Sequence, residues 1–173
     1  MKTIVLGLSG SIACYKGAEV ASLLTQKGYQ VHAVMTAAAE EFITPLTLRS
    51  LTGNPVFNNM FEDKTTHISL AKEADLILIA PATACFISKL AGGIVSDLLT
   101  LTVISSNAAV LICPAMNEQM YKNKIIQDNI EKLKKYGYHF LGPYEGWLSC
   151  GYQGKGRLAD VIDIVAEAEK LIQ

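Results

Sequence analysis

The chain has 173 residues, with 15 basic and 16 acidic side chains and a formal charge of −1. A partner held through phosphate contacts would need an excess of Lys and Arg, so a nucleic-acid binder is excluded. Half the residues are hydrophobic and 18% are charged, which rules out disorder over most of the length and predicts one domain with a sizeable core.

The opening Met1-Lys2-Thr3-Ile4-Val5-Leu6-Gly7 is too short an apolar run for a secretory leader, and no stretch reaches the ~18 residues of a membrane span. The cysteines Cys14, Cys85, Cys113 and Cys150 form no C-x-x-C pair, so they read as reduced thiols and not as staples or zinc ligands. A cytoplasmic protein with no metal and no membrane partner is expected. Its apolar composition, with a mean hydropathy of +0.28, predicts surface buried between subunits.

A strand over 3–6 runs into Gly7-Leu8-Ser9-Gly10-Ser11. A helix over 12–27, with Val20, Ala21, Leu23 and Leu24 on one face, stops at Gly28. A second strand covers 30–35. Thr36 then precedes an Ala-rich helix start, and Pro45 opens a short helix to Leu51. Thr65-Thr66-His67-Ile68 lies in a short helix or loop before the third clear strand, 76–80, whose apolar run suits a parallel strand buried on both faces. Pro81-Ala82-Thr83-Ala84 reads as a turn. Helices follow towards Lys89 and over 97–105, and a fourth strand, 110–113, stops at Pro114. A helix over 118–136 ends at Gly137, a fifth strand covers 138–141, and the last helix runs over 159–172. Between them, 142–157 carries Gly142, Gly146, Gly151, Gly154 and Gly156 around Trp147 and Cys150. It reads as a functional flap or a disordered loop. The alternation predicts an α/β fold, a Rossmann-like three-layer domain over 1–173 with a central parallel sheet and helices on both faces.

Ligands of open α/β sheets bind beyond the carboxyl ends of the strands. Four such ends carry unusual residues here: 7–11, Thr36, 81–84 and 114–117. Gly7-x-x-Gly10-Ser11 reads either as a phosphate cradle, with glycines for close approach and a helix N-terminus for charge, or as a plain tight turn. It is neither G-x-G-x-x-G nor a P-loop. Asn117 reads as a helix cap or as an amide that orients a carboxylate. His67 alone reads as a surface or cap residue, His32 and His139 as structural, and Cys150 as loop content or a positioned acid.

Together the segments resemble the homo-oligomeric flavin-containing cysteine decarboxylases. The resemblance rests on Ser9-Gly10-Ser11-Ile12-Ala13 with Tyr15-Lys16, His67, Ala80-Pro81-Ala82-Thr83-Ala84, Asp97-Leu98-Leu99 and, most specifically, Pro114-Ala115-Met116-Asn117-Glu118-Gln119-Met120-Tyr121. The flap Leu148-Ser149-Cys150-Gly151-Tyr152-Gln153-Gly154-Lys155-Gly156-Arg157 is similar to the branch that acts on a phosphorylated pantothenoyl conjugate of cysteine, in a stand-alone form. The resemblance implies FMN held by Gly10, Ser11 and Thr36 and lined by Pro81, Ala82, Thr83, Ala84 and Ala115. It makes His67 the catalytic base and Cys150 the proton donor. Asn117 would bind the substrate carboxylate beside Met116, and Lys155 and Arg157 would meet its phosphate. It also implies a homo-oligomer, a trimer or a dodecamer of trimers. One position departs from the family: Cys85 stands where Asn is usual, and a thiol cannot reproduce the amide's donor and acceptor pair. Alternatives are a decarboxylase of peptides ending in cysteine, a flavin prenyltransferase, and a flavin-binding regulatory subunit without turnover.

Overall fold

The computed structural model describes residues 1–61 and 65–172. In the first βα unit, β1 (Thr3–Leu8) leads into α1 (Cys14–Gln26), which returns the chain to β2 (Gln30–Met35), parallel to β1. Gly28 makes the turn between them at φ +88°, a conformation a side chain would strain. Then come α2 (Ala37–Glu40), α3 (Pro45–Thr52), β3 (Val56–Phe57), α4 (Thr66–Glu73) and β4 (Leu76–Ala82). α5 (Ala84–Gly92) and α6 (Leu98–Ile104) precede β5 (Ala109–Pro114), and α7 (Glu118–Lys122) and α8 (Lys124–Lys135) precede β6 (His139–Phe140). The chain closes with β7 (Tyr144–Trp147), β8 (Gln153–Arg157) and α9 (Val161–Ile172).

The sheet order is β3-β2-β1-β4-β5-β6 and every pairing is parallel. This is the doubly wound Rossmann order, with the crossover direction reversing between β1 and β4. The central strands divide their side chains with period two. Ile4, Leu6 and Leu8 of β1, Leu76 and Leu78 of β4 and Leu111 of β5 enter one core, which α1 and α9 cover. Val5, Ile77, Ile79 and Ile112 enter the other, under α5, α6 and α8. Apolar residues on both faces of a strand are what a sheet covered on both sides demands.

Several elements differ from the sequence reading. β1 continues through Leu8, so Gly7 lies inside the strand and not in the loop; a Cβ there would stand 2.5 Å from Leu99 of α6. Pro81 and Ala82 belong to β4, and only Thr83 makes the turn. The helix expected over 118–136 is two helices, because Asn123 leaves helical geometry (ψ 129°) and caps α8 through its own side chain. β3 had no sequence signal beyond two residues. The segment 142–157 is not structureless: β7 and β8 pair antiparallel, Tyr144 with Arg157 through Trp147 with Gln153. Its glycines hid the strand pattern: Gly146, Gly154 and Gly156 lie where other atoms take the place of a side chain, and Gly142 and Gly151 take positive φ.

Candidate active site

The carboxyl ends of β1, β2, β4 and β5 open into one cavity of about 850 Å³. That volume lies within the range of small-molecule sites. Small residues and backbone form its floor. Ser9, buried, ties two strand ends together: its hydroxyl donates to the Pro81 carbonyl (2.9 Å) and accepts from the Thr83 N–H (2.9 Å). Gly10 lies against α2 so closely that a Cβ would come within 2.5 Å of the Ala38 Cβ. Ser11 Oγ accepts from the Ala13 N–H at 3.2 Å, and α1 begins without a side-chain cap. Its positive end is thus available to an anion. Thr36 caps α2 and Thr83 caps α5, each accepting a backbone N–H through its hydroxyl.

Gly10, Ser11, Thr36, Thr83, Ala84, Ala115, Met116, Asn117, Cys150 and Arg157 all line this cavity. Pro81 and Ala82 lie beneath it: the Pro81 carbonyl accepts from Ser9, and the Ala82 carbonyl from the Ala115 N–H (3.0 Å). His67 is on α4, outside the lining, with Nδ1 buried and unpaired among the described residues. Lys155 is also outside, its ammonium 5.5 Å from the Tyr121 ring centroid. The Arg157 guanidinium pairs with Asp160. Cys85 is exposed at the second position of α5 and lines the cavity.

The hairpin roofs one side. It is held to the end of β5 by a backbone hydrogen bond from Met116 N–H to the Gly156 carbonyl (3.0 Å), and by Glu118, whose Oε1 accepts from the Lys155 N–H at 3.2 Å. A Cβ on Gly156 would collide with the Met116 carbonyl. The Lys155 N–H, and then the Lys122 ammonium, hold the Glu118 carboxyl below the usual range. Asn117 is the helix cap that the sequence allowed. Its Oδ1 caps α7 by accepting from the Gln119 N–H (2.8 Å), while Nδ2 points to Cys150 Sγ (3.5 Å) and the Tyr152 hydroxyl (3.2 Å).

The sequence reading gave no site role of their own to Ser9, Lys16, Lys89, Trp147 and Tyr152. Lys89 lines the cavity and pairs with Asp97 at 3.0 Å, and Asp97 also forms the capping box of α6 with Thr100. The Asp97-Leu98-Leu99 motif was the one available signal for that pair. Burial pushes the Cys113 thiol far up, and Cys14 also upward, so both are inert core residues. Among the described residues no group of three or more His, Cys, Asp or Glu could hold a metal ion, and no helix is long and apolar enough to cross a membrane.

A Rossmann-ordered sheet whose phosphate-type loop, capped strand ends and cysteine-bearing cover share one cavity defines a nucleotide-cofactor protein. The chain belongs to the Flavoprotein family, whose model matches residues 1–173. It is 46% identical over 176 residues to the coenzyme A biosynthesis bifunctional protein CoaBC of Vibrio vulnificus, covering 99% of this chain and 44% of that protein. The chain therefore spans less than half the length of such relatives. It is also 43% identical to a Streptococcus mutans protein named probable phosphopantothenoylcysteine decarboxylase, covering 98% of both. Among solved structures, it resembles the FMN-dependent cysteine decarboxylase SpaF with a TM-score of 0.87 and 31% identity, over 100% of this chain and 97% of that one. A cysteine-to-serine mutant of PPC decarboxylase complexed with pantothenoylaminoethenethiol matches with a TM-score of 0.87 and 26% identity, over 98% and 97%.

Proposed function

We propose that this chain is an FMN-dependent carboxy-lyase that converts phosphopantothenoylcysteine to phosphopantetheine in coenzyme A biosynthesis, in the cytoplasm. The observation that carries the reading is the placement of Cys150, on the hairpin turn, against the amide of Asn117 at the edge of the cavity. The relatives named for this pathway, and the flavin named for SpaF, support it.

The residues present suit FMN. Gly10 lets the loop pack directly against Ala38 of α2, the end of α1 is free of a side-chain cap, and Ser11 and Thr36 offer hydroxyls on the cavity wall. Thr83, Ala84 and Ala115 are small enough to pass a planar ring. When bound, FMN would supply the two-electron oxidation of the substrate CH₂–SH to a thioaldehyde and the hydride that later restores the saturated thiol. Loss of CO₂ from a cysteine carboxylate needs an electron sink beta to it, and the C=S bond is that sink. The product of CO₂ loss is an enethiolate.

Asn117 Nδ2 would orient the carboxylate, its oxygen being committed to the cap, with Met116 beside it. Cys150 would then protonate the enethiolate carbon. Lys155 and Arg157 would bring positive charge to the substrate phosphate from the hairpin. His67, as base for the thiol, would come from a second copy, since it does not line the cavity of its own chain. This accords with a homo-oligomer, a trimer or a dodecamer of trimers, and with exposed Ile68 next to it. The whole of 1–173 would act as one domain, with the hairpin as its substrate flap.

The test is turnover. Purified protein should be yellow, release FMN on denaturation, and evolve CO₂ from phosphopantothenoylcysteine. Cys150→Ser should give one burst of CO₂, bleached flavin and a product two hydrogens lighter than the aminothiol. A colourless protein that does not take up FMN would overturn the reading. Turnover only of a peptide ending in cysteine would move the substrate to that class, and flavin binding with no CO₂ from either substrate would make the chain a binding module.

A further inference from the structure

Trp147 is the single tryptophan of the chain and ends β7, three residues before Cys150. It lines the cavity yet stays 68% exposed. The other aromatic side chains of the hairpin have partners. The Tyr144 hydroxyl donates to Asp163 (3.1 Å) and its ring lies against the Arg157 guanidinium, while the Tyr152 hydroxyl accepts from Asn117 Nδ2. Among the described residues Trp147 has none: no aromatic ring stacks on it, its indole N–H makes no hydrogen bond, and its cross-strand neighbour is polar Gln153. Ile12, just before α1, and Tyr15, in its first turn, also line the cavity and are more than half exposed (55% and 59%). Scattered singly, such residues would need no explanation, but three of them at one cavity make a binding surface.

In the decarboxylase reading, on which this inference rests, the substrate's cysteine reacts at Asn117 and Cys150 and its phosphate meets the cations of the hairpin. The floor is committed to the flavin there, so the arm between these two ends runs along the hairpin. In phosphopantothenoylcysteine that arm carries a quaternary carbon with two methyl groups, its one strongly apolar part. We propose that Trp147 is a specificity-determining residue whose indole face takes this branched aliphatic unit, with Ile12 and Tyr15 as further apolar wall of the same cavity. A flat, wide ring suits geminal methyls because both reach its face at once, and the contact removes apolar surface of both partners from water. The contact lies away from the reacting atoms. It is therefore equally strong before and during reaction, and it sets KM and not kcat.

The test pairs a change in the protein with a change in the substrate. Flavin-loaded unmodified protein and Trp147→Ala are each assayed with phosphopantothenoylcysteine and with its analogue in which hydrogens replace the two methyls. Losing the methyls should lower kcat/KM of the unmodified protein about 10-fold, all of it in KM, the scale of small alkyl groups in an apolar pocket. Trp147→Ala should lose about as much with the natural substrate, and no more than about 2-fold further with the analogue, since the contact is then already gone. Trp147→Phe should recover most of the loss, and flavin content and melting temperature should not move. Trp147 emission should also shift when phosphopantetheine saturates the unmodified protein. Losses that simply add would show that the indole does not touch the methyls, and would overturn the proposal. So would loss of flavin, a fall in kcat with KM unchanged, or no effect of either change. If the unmodified protein releases CO₂ only from a peptide ending in cysteine, the decarboxylase reading itself falls, and the proposal with it. Additive losses with normal turnover of phosphopantothenoylcysteine remove only the role of Trp147.

Discussion

The floor and the cover of the cavity are held by different kinds of force. The floor residues Ser9, Gly10, Thr36 and Thr83 sit on strand ends whose side chains fill two buried cores, and backbone bonds such as Ser9 N–H to the Pro81 carbonyl (3.1 Å) pin them. The cover is a two-stranded hairpin, which is marginal by itself. It is anchored by buried Leu148 and Leu158 at its ends, and latched by one backbone bond, one carboxylate and the Asn117 amide. Cofactor-type contacts thus inherit the stability of the core, whereas the cysteine-bearing contacts depend on a few polar groups near solvent. Substitutions should separate the two.

The largest effect is expected at the floor. Gly10→Val places a branched side chain where even a Cβ would be 2.5 Å from the Ala38 Cβ and 3.0 Å from its carbonyl. Overpacking of this kind costs about 1–3 kcal/mol, and here it also forces the 9–11 loop and α2 apart at the cavity wall. The protein should lose its visible flavin absorbance and melt earlier. Full flavin content would show that the loop yields and that floor and cover do not differ as described.

Gly156→Ala should break the cover alone. Its Cβ would meet the Met116 carbonyl, which stiff backbone cannot move far. Flavin content should stay near normal while kcat falls on the order of 10²-fold, the scale of a misplacement of about 1 Å in a catalytic group. Parallel loss of flavin would tie the two regions together.

The smallest effect concerns pH. The Lys155 N–H, and then Lys122, hold the folded Glu118 carboxyl below its ordinary range. A depressed folded value means that the latch contributes fully above the unfolded value, near ~4.3, and is lost as pH falls through the folded one. Trp147, exposed on the hairpin, should report that release by fluorescence on acidification below about pH 4. Glu118→Gln keeps an acceptor for Lys155 but loses the charge, so it should flatten this transition and alter neutral-pH turnover only slightly. A transition that persists in Glu118→Gln would place the pH sensor elsewhere.

The apolar runs at 76–80 and 110–113 made the buried parallel strands legible, because burial on both faces leaves little choice of residue. Gly28 and Gly137 marked helix ends for the same local reason, each at φ +88°. β7 and β8 were illegible: Gly146, Gly154 and Gly156 lack side chains because Arg157, Glu118 and the Met116 carbonyl occupy that space. No propensity scale contains such a contact. The break at Asn123 was also missed, since one cap residue inside an amphipathic pattern does not disturb its period.

Composition, periodicity and the strand-end residues by themselves determined the α/β class, the parallel sheet and the edge where a ligand would enter, because these depend on burial and on backbone preferences within a few residues. Tertiary structure alone decided the strand order β3-β2-β1-β4-β5-β6 and the meeting of Asn117 with Cys150 and Tyr152. It likewise decided that His67 does not face the cavity of its own chain. These are contacts between residues distant along the chain, and what brings them together is the packing of whole helices and strands, which no local pattern encodes.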